Sequence, residues 1–162
     1  MKNDRGLTLF EIIVALLVVG ILSAVIVSRI SSTSVYDLKS QTEIIKSHIR
    51  YAQARAMNST MTWGIRFDTT TSYFLYNDGD FNNKMMLPGE TSDTVTLPGN
   101  ITTNIPSGKT RIYSFDSWGR PCTNKAATKL QDKNNGYRQL KIQFSDLPDE
   151  KIRITDNTGF IQ

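Results

Sequence analysis

The chain has 162 residues, with 19 lysines and arginines against 15 acids and a formal charge of +4. That length bounds the folded part to one domain with a modest core of its own. The single cysteine, Cys122, excludes an intrachain disulfide, and the single histidine, His48, must carry any histidine-based triad.

Met1–Gly6 is a short stretch holding Lys2 and Arg5. It precedes an apolar run from Leu7 to Val27, 21 residues whose one charge is Glu11. As a helix rising about 1.5 Å per residue, the run is about 30 Å long, the thickness of a bilayer's hydrocarbon core. An ionised side chain inside such a helix costs on the order of 2–4 kcal/mol. Glu11 is therefore a candidate functional residue that needs a partner. A secretory signal has an apolar region of about 7–15 residues and an A-x-A-like cleavage site. This run is too long, and Ser23-Ala24 is a weak cleavage candidate. A plain single-span anchor accounts for the run but not for Gly6 or Glu11. Gly20, inside the run, permits close helix approach.

After the polar patch Ser31-Ser32-Thr33-Ser34, helical periodicity returns. Val35, Thr42, Ile49 and Ala56 recur every seventh residue, as do Leu38, Ile45 and Ala52, so together they make one apolar stripe. Lys39, Glu43, Lys46, Arg50 and Arg55 fall on the other faces, and Lys39 and Lys46 support Glu43 at one-turn spacing. The spacing predicts one long helix over 7–58, its second half amphipathic and laid on a sheet.

Short strand signals with turn punctuation follow. Strands are predicted at Met61–Phe67, Ser72–Tyr76, Lys84–Leu87, Thr94–Leu97, Arg111–Phe115, Gln139–Phe144, Lys151–Thr155 and Phe160-Ile161. Asn77-Asp78-Gly79-Asp80 is a hairpin turn. Ile112, Ser114, Lys141, Gln143 and Arg153 alternate with apolar neighbours, which predicts one wet sheet face. Cys122–Gly136, polar and basic without a period, reads as a mobile loop. The fold class is α+β, a long N-terminal helix packed on a C-terminal β-rich sheet or sandwich.

Charge is uneven along the domain. Residues 68–93 hold Asp68, Asp78, Asp80, Glu90 and Asp93 against Lys84, whereas residues 109–141 hold eight cations against Asp116 and Asp132. Such a field steers an acidic partner, or is an ordinary solvated face.

The order Gly6, a hydrophobic residue, Thr8, Leu9, Phe10, Glu11 resembles the class III signal of type IV pilins and type II secretion pseudopilins. The resemblance implies that a prepilin peptidase cuts between Gly6 and Leu7 and methylates the new amine on Leu7. Leu7 departs from the usual first mature residue, Phe. Glu11 would neutralise the terminal amine of a neighbouring subunit during filament assembly. Arg50–Ala56 with Trp63-Gly64-Ile65-Arg66-Phe67, then Phe115–Pro121, then Gly159-Phe160-Ile161, resemble the GspH/FimT group of minor pseudopilins. The implied organisation is a leader at 1–6, a membrane-spanning and filament-core helix at 7–27, its amphipathic continuation at 28–58, and a periplasmic β-rich domain at 59–162. The implied role is structural rather than catalytic: an H-type subunit near the tip of a type II secretion pseudopilus. It would be held in the bacterial inner membrane by a single span, with the domain in the periplasm. Its partners would be the prepilin peptidase and other major and minor pseudopilins.

DNA is the alternative partner. FimT-like members of the group take part in DNA uptake through basic residues late in the chain. Arg120, Lys125 and Lys129, with Trp118 and Tyr137 nearby, are the candidates for phosphate contact and stacking. Against it, the final segment reaches Gln162 without a basic run, and Asp146, Asp149, Glu150 and Asp156 mix its charge. No cofactor or metal is predicted. Asp78, Asp80 and Asn82 alternate as calcium ligands do, but lack the glycine and distal glutamate of an EF-hand. His48 has no evident partner in the sequence, and His48 with Cys122 lacks zinc-ligand spacing.

Overall fold

The structure, a computed structural model, describes residues 8–30, 33–106, 108–127, 137–144 and 147–162. It divides into two units, Met1–Tyr36 and Asp37–Gln162.

The first unit holds helix α1 (Leu9–Ile30). Thr8 starts it: its Oγ1 accepts the Glu11 backbone N–H at 3.3 Å, and its carbonyl accepts that of Ile12 at 3.2 Å. The first bond satisfies one of the donors a helix start leaves orphaned, and the second is the first bond of the helix itself. From Leu9 to Leu22 the large apolar side chains are exposed, from 43% at Val14 to 78% at Leu9. Among the described residues, no helix is long and apolar enough to cross a membrane. The span read from the sequence includes Leu7 and Ala24–Val27, whose side chains lie outside the described set. Ser31-Ser32, within the predicted 7–58 helix, also lie outside the described residues.

Helix α2 (Thr33–Met57) carries the amphipathic stripe into the second unit. Leu38, Thr42, Ile45, Ile49, Ala52 and Ala56 are all buried, at 0–2% exposure. The Thr42 hydroxyl fits because it donates to the Leu38 carbonyl at 2.8 Å. Asn58 and Ser59 side chains donate to the Ala54 and Arg55 carbonyls at 2.8 Å each, closing the end of the helix.

The stripe shares one core with two antiparallel sheets. In the larger, β1 (Trp63–Phe67) lies between β2 (Ser72–Asn77) and β6 (Arg111–Phe115). Ile65 is opposite both Leu75 and Tyr113. Alternate residues therefore reach the core together: Trp63, Ile65 and Phe67 with Tyr73, Leu75, Tyr113 and Phe115. Strands β3 (Asp80–Met85) and β4 (Thr94–Thr96) share the outer edge of β2, and β7 (Pro121–Cys122) flanks β6. The smaller sheet runs β5 (Thr102–Thr103), β8 (Tyr137–Gln143), β9 (Glu150–Thr155). It contributes Leu140, Ile142, Ile152 and Ile154 to the core. Phe160-Ile161 forms a single bridge, Ile161 to Ile154, rather than a strand.

Three further sequence readings change. The wet face holds on β9, where Lys151 and Arg153 are exposed, but fails on β6, where Ser114 is fully buried. Residues 121–127 cover it, and its hydroxyl lies 2.7 Å from the Asn124 carbonyl, to which it donates. The loop predicted from Cys122 opens instead with β7 and buries Cys122 and Ala127; residues 128–136 lie outside the described set. The strand predicted at Lys84–Leu87 begins earlier, at Asp80, immediately after a tight turn. Asp78 (φ 50°) and Gly79 (φ 68°) both take the left-handed conformation of a type I′ hairpin.

Candidate functional site

Gly6 and Leu7, the predicted processing and methylation residues, lie outside the described residues. Glu11 is described: it occupies the first turn of α1, exposed, with its backbone bound to the Thr8 hydroxyl. The positive end of the helix dipole favours a carboxylate there. Thr8 and Glu11 stand at the spacing of a capping box, a signal legible in the sequence. The cap fixes where the helix starts, and so fixes Glu11 one turn in.

The three later motifs come together in the folded domain. Gln53, on α2, donates both amide hydrogens to carbonyls from distant segments: Gly119 at 2.8 Å and Gly159 at 3.0 Å. Arg50, one turn earlier on the same edge, donates to the Ile161 carbonyl at 3.0 Å. Both glycines have positive φ, 75° and 66°. A Cβ on Gly159 would collide with the Gly119 carbonyl and the Gln53 amide, and one on Gly119 would lie 2.8 Å from the Met57 sulfur. Only bare backbone fits this three-way contact.

Asp116 holds the middle turn. Its Oδ1 accepts the backbone N–H groups of Trp118 (3.0 Å) and Arg120 (2.8 Å), and its Oδ2 accepts the Arg120 guanidinium at 2.8 Å. The candidate DNA contact Arg120 is thus tied to a carboxylate. Lys125 sits apart, its Nζ 5.4 Å from the Phe81 ring centre. Lys129 lies outside the described residues.

His48, without an evident partner in the sequence, has two in the fold. Its Nδ1 is 2.9 Å from the Tyr73 hydroxyl and its Nε2 is 3.2 Å from the Pro88 carbonyl, with Glu90 at 3.9 Å. Burial lowers its pKa, against the smaller opposing pull of Pro88 and Glu90. A neutral ring fits this geometry, accepting from Tyr73 and donating to Pro88. Cys122 is buried, with its sulfur 3.3 Å from the Ala127 carbonyl. Burial pushes its thiol pKa up to about 11, so it stays protonated and a weak nucleophile. Asp78 belongs to the hairpin turn, and Asp80 accepts the Asn82 backbone N–H at 2.9 Å, so turn chemistry accounts for their spacing.

Comparison with known proteins agrees with the N-terminal reading. Residues 1–27 match the family described as the prokaryotic N-terminal methylation motif. No curated protein and no solved structure matches the chain. The motif supports a type IV pilin-like protein processed by a prepilin peptidase and assembled with other pilins.

Proposed function

We propose that the protein is a minor pseudopilin of the GspH/FimT group, an H-type structural subunit near the tip of a type II secretion pseudopilus. The peptidase cuts after Gly6 and methylates Leu7. The apolar run Leu7–Val27 then anchors the subunit in the bacterial inner membrane and enters the filament core, with the domain in the periplasm. The observation that carries this reading is the N-terminal motif with its cap, which puts the single carboxylate of the apolar run in the first turn of α1. A neighbour's terminal amine is the partner that would offset that charge inside a bilayer. The convergence of the three later motifs on Gln53 supports the finer family reading, because it explains their glycines by one contact.

The DNA-uptake reading is weakened by the pairing of Arg120 with Asp116, which leaves its guanidinium less able to neutralise a phosphate.

The test is Gly6→Val in cells with their own peptidase. The variant should accumulate in membranes as full-length precursor, while Glu11→Ala should be cut normally and lose crosslinks to partner subunits. Normal cutting of Gly6→Val refutes the processing step, and unchanged crosslinking of Glu11→Ala reduces the segment to a simple anchor.

A further inference from the structure

Buried aromatic and aliphatic side chains fill the domain core, yet four large apolar side chains around the C-terminal end of α2 and the glycine junction are exposed. Trp118 is 76% exposed, Phe160 60%, Met57 55% and Met61 49%. The glycine junction anchors the backbone that carries three of them. Trp118 and Phe160 directly adjoin the two glycines that meet backbone to backbone, and Met57 packs on Gly119. Met61 lies two residues before Trp63, which pairs with Phe115 at the same end of β6.

The presentation is rigid. Asp116 binds the Trp118 and Arg120 backbones, Gln53 binds the carbonyls of Gly119 and Gly159, and the Thr155 N–H donates to the Phe160 carbonyl at 2.9 Å. Aromatic side chains held out on pre-ordered turns lose little freedom when a partner covers them. An exposed cluster of this kind marks an interaction surface, with tryptophan its commonest anchor.

The surroundings select the partner. Arg50 is exposed and bonds to a carbonyl, with no ion pair among the described residues, and exposed Arg55 lies 4.6 Å over the Trp63 ring. The acid beside the turn, Asp116, is only 13% exposed and engaged with Arg120. The rim is therefore cationic and the centre apolar. A second copy docked symmetrically would set like charges against each other. A nucleic acid would need several cations free to take phosphates, whereas here apolar area dominates.

We propose that this end of the domain docks the globular domain of a different pilin-like subunit, through a surface with an apolar centre and an acidic rim. The inference rests on the filament reading above and names the surface that reading leaves open.

The experiment places a photoreactive phenylalanine analogue at position 118 of the full chain, in its own cells. A second strain carries the analogue at position 14 of α1. The expected adduct at 118 is a chain with its own N-terminal methylation motif, joined through a segment containing acidic residues. Phe160→Asp, an exposed site that leaves the core intact, should cut the yield about ten-fold. Arg50→Glu with Arg55→Glu should do the same, and lysine at the mapped acids of the partner should restore it. Adducts at 14 without adducts at 118 overturn the docking proposal and leave the filament reading standing; adducts at neither position overturn both. A nuclease-sensitive adduct, an adduct with this chain alone, or an adduct with a protein lacking the motif also overturns it.

Discussion

Helices α1 and α2 are both rich in apolar residues, but they treat them in opposite ways. In α2 the apolar stripe is buried by the chain's own sheets, with Ile45 and Ile49 at 0% exposure. From Leu9 to Leu22 the apolar side chains of α1 surround the helix and stay exposed, with Leu16 at 67% and Leu17 at 59%. A helix apolar on one side is completed by its own domain; a helix apolar all round needs a surrounding medium or other helices. The two halves therefore divide the labour. The domain buries its own stripe, whereas the described apolar side chains of α1 are left to an environment beyond the chain's own core.

The strongest way to break this comparison is at the glycine junction, where the domain depends on bare backbone. Gly159→Val adds a branched side chain at positive φ against the Gly119 carbonyl and the Gln53 amide. Left-handed strain and overpacking together should cost about 3–5 kcal/mol. Chemical denaturation followed through buried Trp63 measures it; a loss well under 1 kcal/mol would show that the junction is loose.

A matched pair of truncations sharpens the contrast. Ile45→Ala should destabilise the domain by about 2–5 kcal/mol through the cavity it leaves. Leu16→Ala, in α1, should change the same transition by less than about 0.5 kcal/mol. Equal effects would mean that the two helices share a core.

The smallest effect is electrostatic. Burial lowers the His48 pKa in the fold relative to about 6.5 unfolded. The unfolded chain therefore binds the proton more tightly. The contribution is fully present above about pH 6.5 and is lost as pH falls from there towards the lowered folded value. Its slope is at most about 1.4 kcal/mol per pH unit. His48→Gln should flatten this part of the stability profile between about pH 7 and 5; a wild-type profile already flat there would place the ring in water.

What was legible in the sequence follows the same division. The stripe of α2 was readable because seven-residue spacing survives burial unchanged, and Arg111–Phe115 matched its strand residue for residue. Period two misled at Ser114 because a neighbouring segment covers the face, and strand alternation alone does not reveal what lies above a sheet. The short strands β5 and β7 carry too few residues to show a period. Arg50, Gln53, Gly119 and Gly159 stood in recognisable motifs, yet their meeting depends on chain segments far apart in sequence. The cap at Thr8 was the opposite case, a local pattern open to reading from two residues.

The central claim is that the apolar helix begins at a cut made for assembly. Mass spectrometry of the N-terminal peptide from membrane-extracted protein tests it most directly. The account predicts a chain that starts at Leu7 and carries one methyl group on its amine. A chain that retains Met1–Gly6, or one that starts beyond Glu11, would contradict it.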